Sequence, residues 1–504
     1  MKENVFNKIK EINEFIYKYN IHIIVLVILI LFFGLSISNQ KYNIIFIIIL
    51  LIWIYNILYS IINLKKRFLY LIMNLMLFTF VLSRPTLNLI RGNSVWYFSD
   101  IVIKKTLLSI GIAEIFLAIG NYIAEGKLII KIQEYVKRIF SFRQDKRAPK
   151  IENENYYINN VLIVLLVISG TANIFMSILN YISMKNQDYA LIYTSGVQKF
   201  PFVLRNIAAI FPFSITAFLS TMPNKKKTTI TLIAYCISNI PLFLLGNRSG
   251  LVLSILFSIV YIIIRYFIEK KDTKWITKRK VITVLIMIPI FIVLLGAYNY
   301  IREDKEVETK SPISLIADFF YKQGTTFDTI CQGFKYESKL KNDYNIISYS
   351  LGDILDYLMH STISQKMFNT DSLGTGNNMN MIKESNSMAH HLSYLVLGEE
   401  TYLKGHGRGT SYIIETYMDG GYFLLAIYSL ILGYYLTNII GIIEKQDKLV
   451  NYIILTTLLE IFLLPRYSAS GFFSFIVEPQ FWVIPIIIIS IKYIIRLRKG
   501  KVSE

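Results

Sequence analysis

Apolar residues in this chain come in solid blocks, not in alternation with polar ones. The run IIFIIILLIWI (44–54) is typical. Such blocks are long enough to span a hydrocarbon core of about 30 Å as helices, whereas membrane β-barrels show weak alternating patterns. About twelve runs meet this description, near 21–38, 43–62, 68–83, 107–124, 158–182, 201–222, 228–246, 250–268, 281–299, 421–440, 450–465 and 476–495. The pattern predicts an all-α, polytopic transmembrane protein.

Two connections are long. The stretch 125–157 is highly charged, and its first half has an amphipathic basic pattern suited to anionic lipid. The segment 300–420 exceeds a mere connector, and apolar residues at helical spacing predict helices over 311–331 and 348–367. The piece between, 369–386, is turn-rich, and LSYLVL (392–397) is too short to span. The chain thus divides into spans one to nine over 1–299, a large loop over 300–420, and spans ten to twelve with a tail over 421–504.

Composition changes the picture only through charge placement. The net charge is +19, yet Lys and Arg gather at the amino end, at 65–67, 127–150, 225–227, 265–280, at Lys445 and Lys448, and at 496–501. Those are every second connection. The distribution is a topology signal, not a nucleic-acid surface, and it predicts both termini in the cytoplasm with 300–420 outside. Lysines precede the first run and no small-residue cleavage site follows it, so no cleavable signal is expected. Cys236 lies in an apolar run and Cys331 outside one, so they should not pair, and the five histidines show no zinc-binding interval.

Polar chemistry concentrates on the outer side. GHGRGTSYIIETYMDGG (405–421) stands just before the tenth run. Glycines such as Gly407 let a backbone approach a ligand, Ser411 can cap a helix, and exposed N–H groups at a helix start attract anions. His406 and Arg408 flank that start; Glu415 and Asp419, four apart, share a helical face. A basic cradle followed by a carboxylate suits a diphosphate leaving group with a proton acceptor nearby. It is neither a P-loop nor a dinucleotide fingerprint.

Further arginines stand at the same end: Arg248 in GNRSG (246–250), Arg466 in RYSASG (466–471), and Arg84, Arg205 and Arg302 beside outer connections. Topological sorting disfavours arginine there, so these residues need another reason. Arg84 and Arg205 read first as lipid-headgroup anchors, while Arg248 and Arg466 read as functional. Glu114 and Glu460, inside apolar runs, are expected to pair internally.

GNRSG at a tight outer turn, the long outer loop, and Gly405, Gly407, Ser411, Ile413, Glu415, Tyr417, Asp419 and Gly421 before a span resemble the Wzy-type oligosaccharide repeat-unit (O-antigen) polymerases. The resemblance implies a GT-C-like fold and no cofactor or metal. It implies an enzyme at the outer face of the cytoplasmic membrane that joins oligosaccharide units carried on undecaprenyl diphosphate. Membrane lipid, a flippase and a chain-length regulator are the further implied partners. Departure of a diphosphate leaves concentrated negative charge, which points to Arg248 and Arg466, with Arg408, as its stabilisers. Glu415 leads as general base and His406 follows, while Arg302, Arg205, Asp419, Ser411 and Gly407 are expected to bind substrate. An O-antigen-type ligase, or a flippase or exporter of lipid-linked oligosaccharide, is the alternative. A transporter, however, would place polar residues along a central path.

Overall fold

A computed structural model describes residues 21–38, 41–125, 154–185, 200–269, 275–302, 311–344, 346–445 and 448–500. The basic stretch 125–157 falls almost wholly outside these residues. Among the described residues no strand forms. The membrane part runs through α1 (Ile21–Ser38), α2 (Tyr42–Ile62), α3 (Leu64–Ile90) and α4 (Asp100–Glu125). It continues with α5 (Glu154–Met184), α6 (Phe202–Ser220), α7 (Lys225–Leu244), α8 (Ser249–Ile268) and α9 (Lys278–Arg302). Among the described residues, ten helices are long and apolar enough to cross a bilayer, or eleven if one bent pair counts as a span. The sequence predicts about twelve; the first run forms the shorter α1, and the last is the bent pair described below.

The segment after α9 is not a loose loop but a chain of short helices: α10 (Pro312–Gln323), α11 (Thr326–Lys335), α12 (Glu337–Asn342), α13 (Gly352–His360), α14 (Thr362–Phe368), α15 (Met379–Glu384), α16 (Met388–Leu397) and α17 (Glu399–Leu403). Helices this short are marginal alone and depend on packing. Ser311 caps α10 by accepting the Ser314 amide, with Pro312 in the first turn. On the bundle side, Ser83 Oγ donates to the Phe320 carbonyl at 2.9 Å, Thr106 Oγ1 contacts Cys331 Sγ at 3.4 Å, and Lys105 pairs with Glu337 at 2.7 Å. These contacts seat α10, α11 and α12 on the ends of α3 and α4.

The tenth run is the end of a longer element, α18 (Tyr412–Ile443), which starts nine residues before the expected span at 421 and breaks at Gly420 and Gly421. Leu425, Leu432 and Leu436 of α18 share one core with Leu107, Ile110 and Leu117 of α4. Then come α19 (Lys448–Arg466), the 3-10 helix α20 (Gly471–Val477) and α21 (Pro479–Gly500), with a 61° bend between the last two.

Two irregularities place arginines. Helix α3 opens into a π-helical turn over Phe78–Leu82, just before Arg84. Pro85 lacks an amide proton and its ring crowds the Val81 carbonyl, which forces the ladder to widen there. Helix α7 ends in a Schellman motif: the Gly246 amide donates to Phe243 and the Asn247 amide to Leu242, with Gly246 at φ +98°. That left-handed conformation needs glycine, and it turns the chain so that Arg248 stands at the start of α8. Among the described residues the internal partner expected for Glu114 is not there: the side chain is fully buried, and neither carboxylate oxygen has a hydrogen-bond partner. Glu460 is exposed at the break within α19.

Candidate active site

Where α3, α7 and α19 end and α8 begins, the short helices α10 and α11 close over a cavity of about 350 Å³. Its wall carries five cations, Arg84, Arg248, Lys322, Arg408 and Arg466, against one carboxylate, Asp328. Tyr321, Gln323, Thr329, Gln332 and Gly407 also contribute. Such an excess of positive charge in a partly enclosed cavity suits a polyanionic ligand.

Arg84, Arg466 and Arg408 are each held in place. Arg84 Nη1 pairs with Asp328 Oδ2 at 3.0 Å, and its guanidinium lies 4.6 Å from the Tyr321 ring centroid. Arg466 Nη1 donates to Gln323 Oε1 at 2.6 Å and lies above Phe80, within the π-helical turn. Arg408 is fixed through its backbone: its amide donates to Ser393 Oγ at 2.9 Å and its carbonyl accepts from Thr329 Oγ1 at 3.3 Å. The turn between α10 and α11 sits directly on Arg84. A Cβ at Gly324 would lie 2.6 Å from Arg84 N, Arg84 Cβ and Ser83 Oγ, so only glycine allows this approach.

Asp328 stands in the first turn of α11. Burial raises its carboxyl above the ordinary range, outweighing the lowering pull of Arg84, the Tyr97 hydroxyl and Arg408. Gln332 follows one turn later on the same face, and its Oε1 is buried without a hydrogen-bond partner among the described residues.

The sequence-predicted residues separate into three groups. Arg248, Arg408, Arg466 and Gly407 come together on the cavity wall, although they lie far apart in the chain. Glu415, Ser411 and Asp419 do not line it. Glu415 is buried and accepts the Ala469 amide at 2.7 Å. Ser411 caps α18 by accepting the Ile413 amide. Asp419 accepts from Ser348 Oγ and from the Tyr349 and Ser350 amides, at 2.6, 2.9 and 2.8 Å, and so pins the chain ahead of α13. His406 and Arg205 are exposed and also off the lining, while Arg302 is the last residue of α9 and its side chain lies outside the described residues.

Arg84, read from sequence as a headgroup anchor, instead lines the cavity as the partner of Asp328. Asp328 and Gln332 also line the cavity, and the sequence does not single them out. The one signal for them is their spacing of four in TTFDTICQGF (325–334), which puts both on one polar face of an otherwise apolar helix.

No curated protein and no solved structure matches the chain. A family model does, that of the O-antigen polysaccharide polymerase Wzy, over residues 21–499. Those residues take in the apolar spans and the segment that builds the cationic cavity alike. The chain belongs to the O-antigen polysaccharide polymerase Wzy family, a multi-pass membrane polymerase of surface polysaccharide.

Proposed function

We propose that the protein joins undecaprenyl-diphosphate-linked oligosaccharide repeat units by en bloc glycosyl transfer at the outer face of the cytoplasmic membrane, without a metal. The growing chain leaves its lipid diphosphate and is passed to the non-reducing end of an incoming lipid-linked unit. An acceptor hydroxyl oxygen forms the new bond to the anomeric carbon. The bond from that carbon to the diphosphate oxygen breaks, and its electron pair leaves with the diphosphate.

One observation carries this reading: Arg84, Arg248, Arg408 and Arg466 converge on a single cavity where the membrane spans end. Planar guanidinium donors match phosphate oxygens, and fixed cations stabilise charge that develops as the diphosphate departs. The lipid tail would enter between spans, while α10 to α17 orient the saccharide. Both termini then lie in the cytoplasm and 300–420 outside, with a flippase supplying units and a chain-length regulator acting on the product.

The test is reconstitution of the full chain in vesicles with an oligosaccharide on undecaprenyl diphosphate. A ladder of lengthening products, with release of free undecaprenyl diphosphate, is expected. Transfer of a finished glycan to a different acceptor, without a ladder, would mean a ligase.

A further inference from the structure

The cationic wall accounts for the leaving group but leaves the acceptor hydroxyl proton without a destination. We infer that Asp328 receives it, with the Gln332 amide one turn away orienting the acceptor sugar; this deepens, and rests on, the polymerase reading above.

Asp328 is the one carboxylate on the cavity wall among the described residues. Its two oxygens are differently engaged. Oδ2 is tied to Arg84 at 3.0 Å, whereas Oδ1 has only a long contact of 3.4 Å from the Tyr97 hydroxyl. Oδ1 therefore keeps capacity to accept a hydrogen bond from a sugar hydroxyl. Gln332 Oε1 is a buried acceptor still without a donor on the same wall, and sugars carry such donors on adjacent carbons. The cations Arg248, Arg408 and Arg466 share that wall, so a diphosphate and an acceptor hydroxyl meet in one chamber.

A purely structural role for Asp328, that of neutralising Arg84, would leave the cavity's acceptor side unexplained. The carboxylate is also desolvated, as a base that works near neutral pH should be. The groups around it are Arg84 from α3, Tyr97 ahead of α4, Tyr321 from α10, Cys331 from its own helix and Arg408 from the segment before α18. Of these only Arg84 and Arg408 are cationic, and both favour the ionised form. In the transfer, the proton passes from the acceptor hydroxyl to Oδ1 as the new C–O bond forms, and afterwards returns to solvent.

The experiment compares wild type with Asp328→Asn and Asp328→Glu, full-length and in vesicles. It measures polymerisation rate across pH and, separately, binding of undecaprenyl diphosphate. Asp328→Asn should lower turnover by about 100-fold or more while binding is retained. The acid limb of the wild-type profile should vanish from its residual activity. Asp328→Glu should recover part of the turnover and restore an acid limb at a shifted pH. If Asp328→Asn turns over normally, or loses binding and turnover in parallel with an unchanged pH profile, Asp328 is only the counter-ion of Arg84. Should Asp328→Asn fail to accumulate in the membrane, Asp328→Glu decides alone, because a structural role leaves its acid limb where wild type has it. A wild-type protein that binds no undecaprenyl diphosphate would remove the polymerase reading itself, and the role of Asp328 with it.

Discussion

Glu415 Oε2 accepts the amide of Ala469 at 2.7 Å, and the carbonyl of that same Ala469 accepts the Tyr428 hydroxyl at 2.6 Å. Both polar groups of one loop residue are thus held by α18. A third tie comes from Asp353 of α13, whose amide and carboxylate both engage Ser470 Oγ. The loop so clamped follows directly on Arg466, the last residue of α19, which lines the cavity. We therefore expect Glu415 to hold this loop rather than to take the acceptor proton. Glu415→Gln still offers an acceptor oxygen and should keep turnover within about threefold of wild type. Glu415→Ala leaves a buried amide unpaired, should cost about 1–3 kcal/mol of stability, and should weaken undecaprenyl diphosphate binding. A Glu415→Gln protein that binds substrate normally but cannot transfer would return the proton-acceptor role to Glu415.

Arg248→Lys keeps the charge but loses the planar pair of donors. Long glycan chains should disappear, with transfer reduced by about 100-fold and membrane abundance unchanged. Chain-length ladders from cells carrying the variant report it directly. A normal ladder would take Arg248 out of the site.

Gly324→Ala tests how the cavity is assembled. The added methyl meets the backbone of Arg84, which cannot move without shifting the π-helical turn before it. A loss of about 1–3 kcal/mol is expected, together with reduced polymerisation. Unfolding of the purified protein and its product ladder provide the two measurements.

The segment of short helices between α9 and α18 should also be sensitive to acid. His391 is buried, stacks on Tyr344 at 4.0 Å, and its Nε2 lies 3.1 Å from the Ile382 carbonyl. Burial lowers its pKa from 6.5 to about 4. The unfolded state therefore takes up a proton before the folded one. Stability from this group is present above pH 6.5, is lost as pH falls toward 4, and then levels off. The loss is on the order of 3 kcal/mol. His390, lowered by burial as well, acts in the same direction. Thermal midpoints of wild type and His391→Phe across that range should show a flatter slope in the variant.

Orientation is testable at Lys339, which is exposed on α12. Of the native cysteines, Cys331 is buried and Cys236 half-buried. Lys339→Cys, in a Cys236→Ser background, should react with a membrane-impermeant thiol reagent in intact cells. Labelling only after permeabilisation would put the segment on the cytoplasmic side and end the outer-face reading.

Part of the candidate site is legible in the sequence because of an incongruity. Arginine is unusual beside outer connections, so Arg248 and Arg466 stood out by position alone. Glu415 and Asp419 also stood out, as carboxylates in a glycine-rich segment, but their tasks are different. Local spacing could say that they share a helical face; it could not say that the face turns toward Ala469 and toward 348–350. Asp328 drew no notice because a single Asp in an amphipathic helix is commonplace.

From the sequence alone came the helical membrane architecture, the long segment before the tenth run and the family resemblance. Hydrocarbon demands unbroken apolar runs with every backbone group satisfied internally, so spans are written in plain view along the chain. Tertiary structure alone decided which arginines share a chamber, that Arg84 meets Asp328 there, and that Glu415 supports a loop behind it. Those relations join residues tens to hundreds of positions apart. They depend on where short helices dock upon the bundle, a matter of packing that no local pattern encodes.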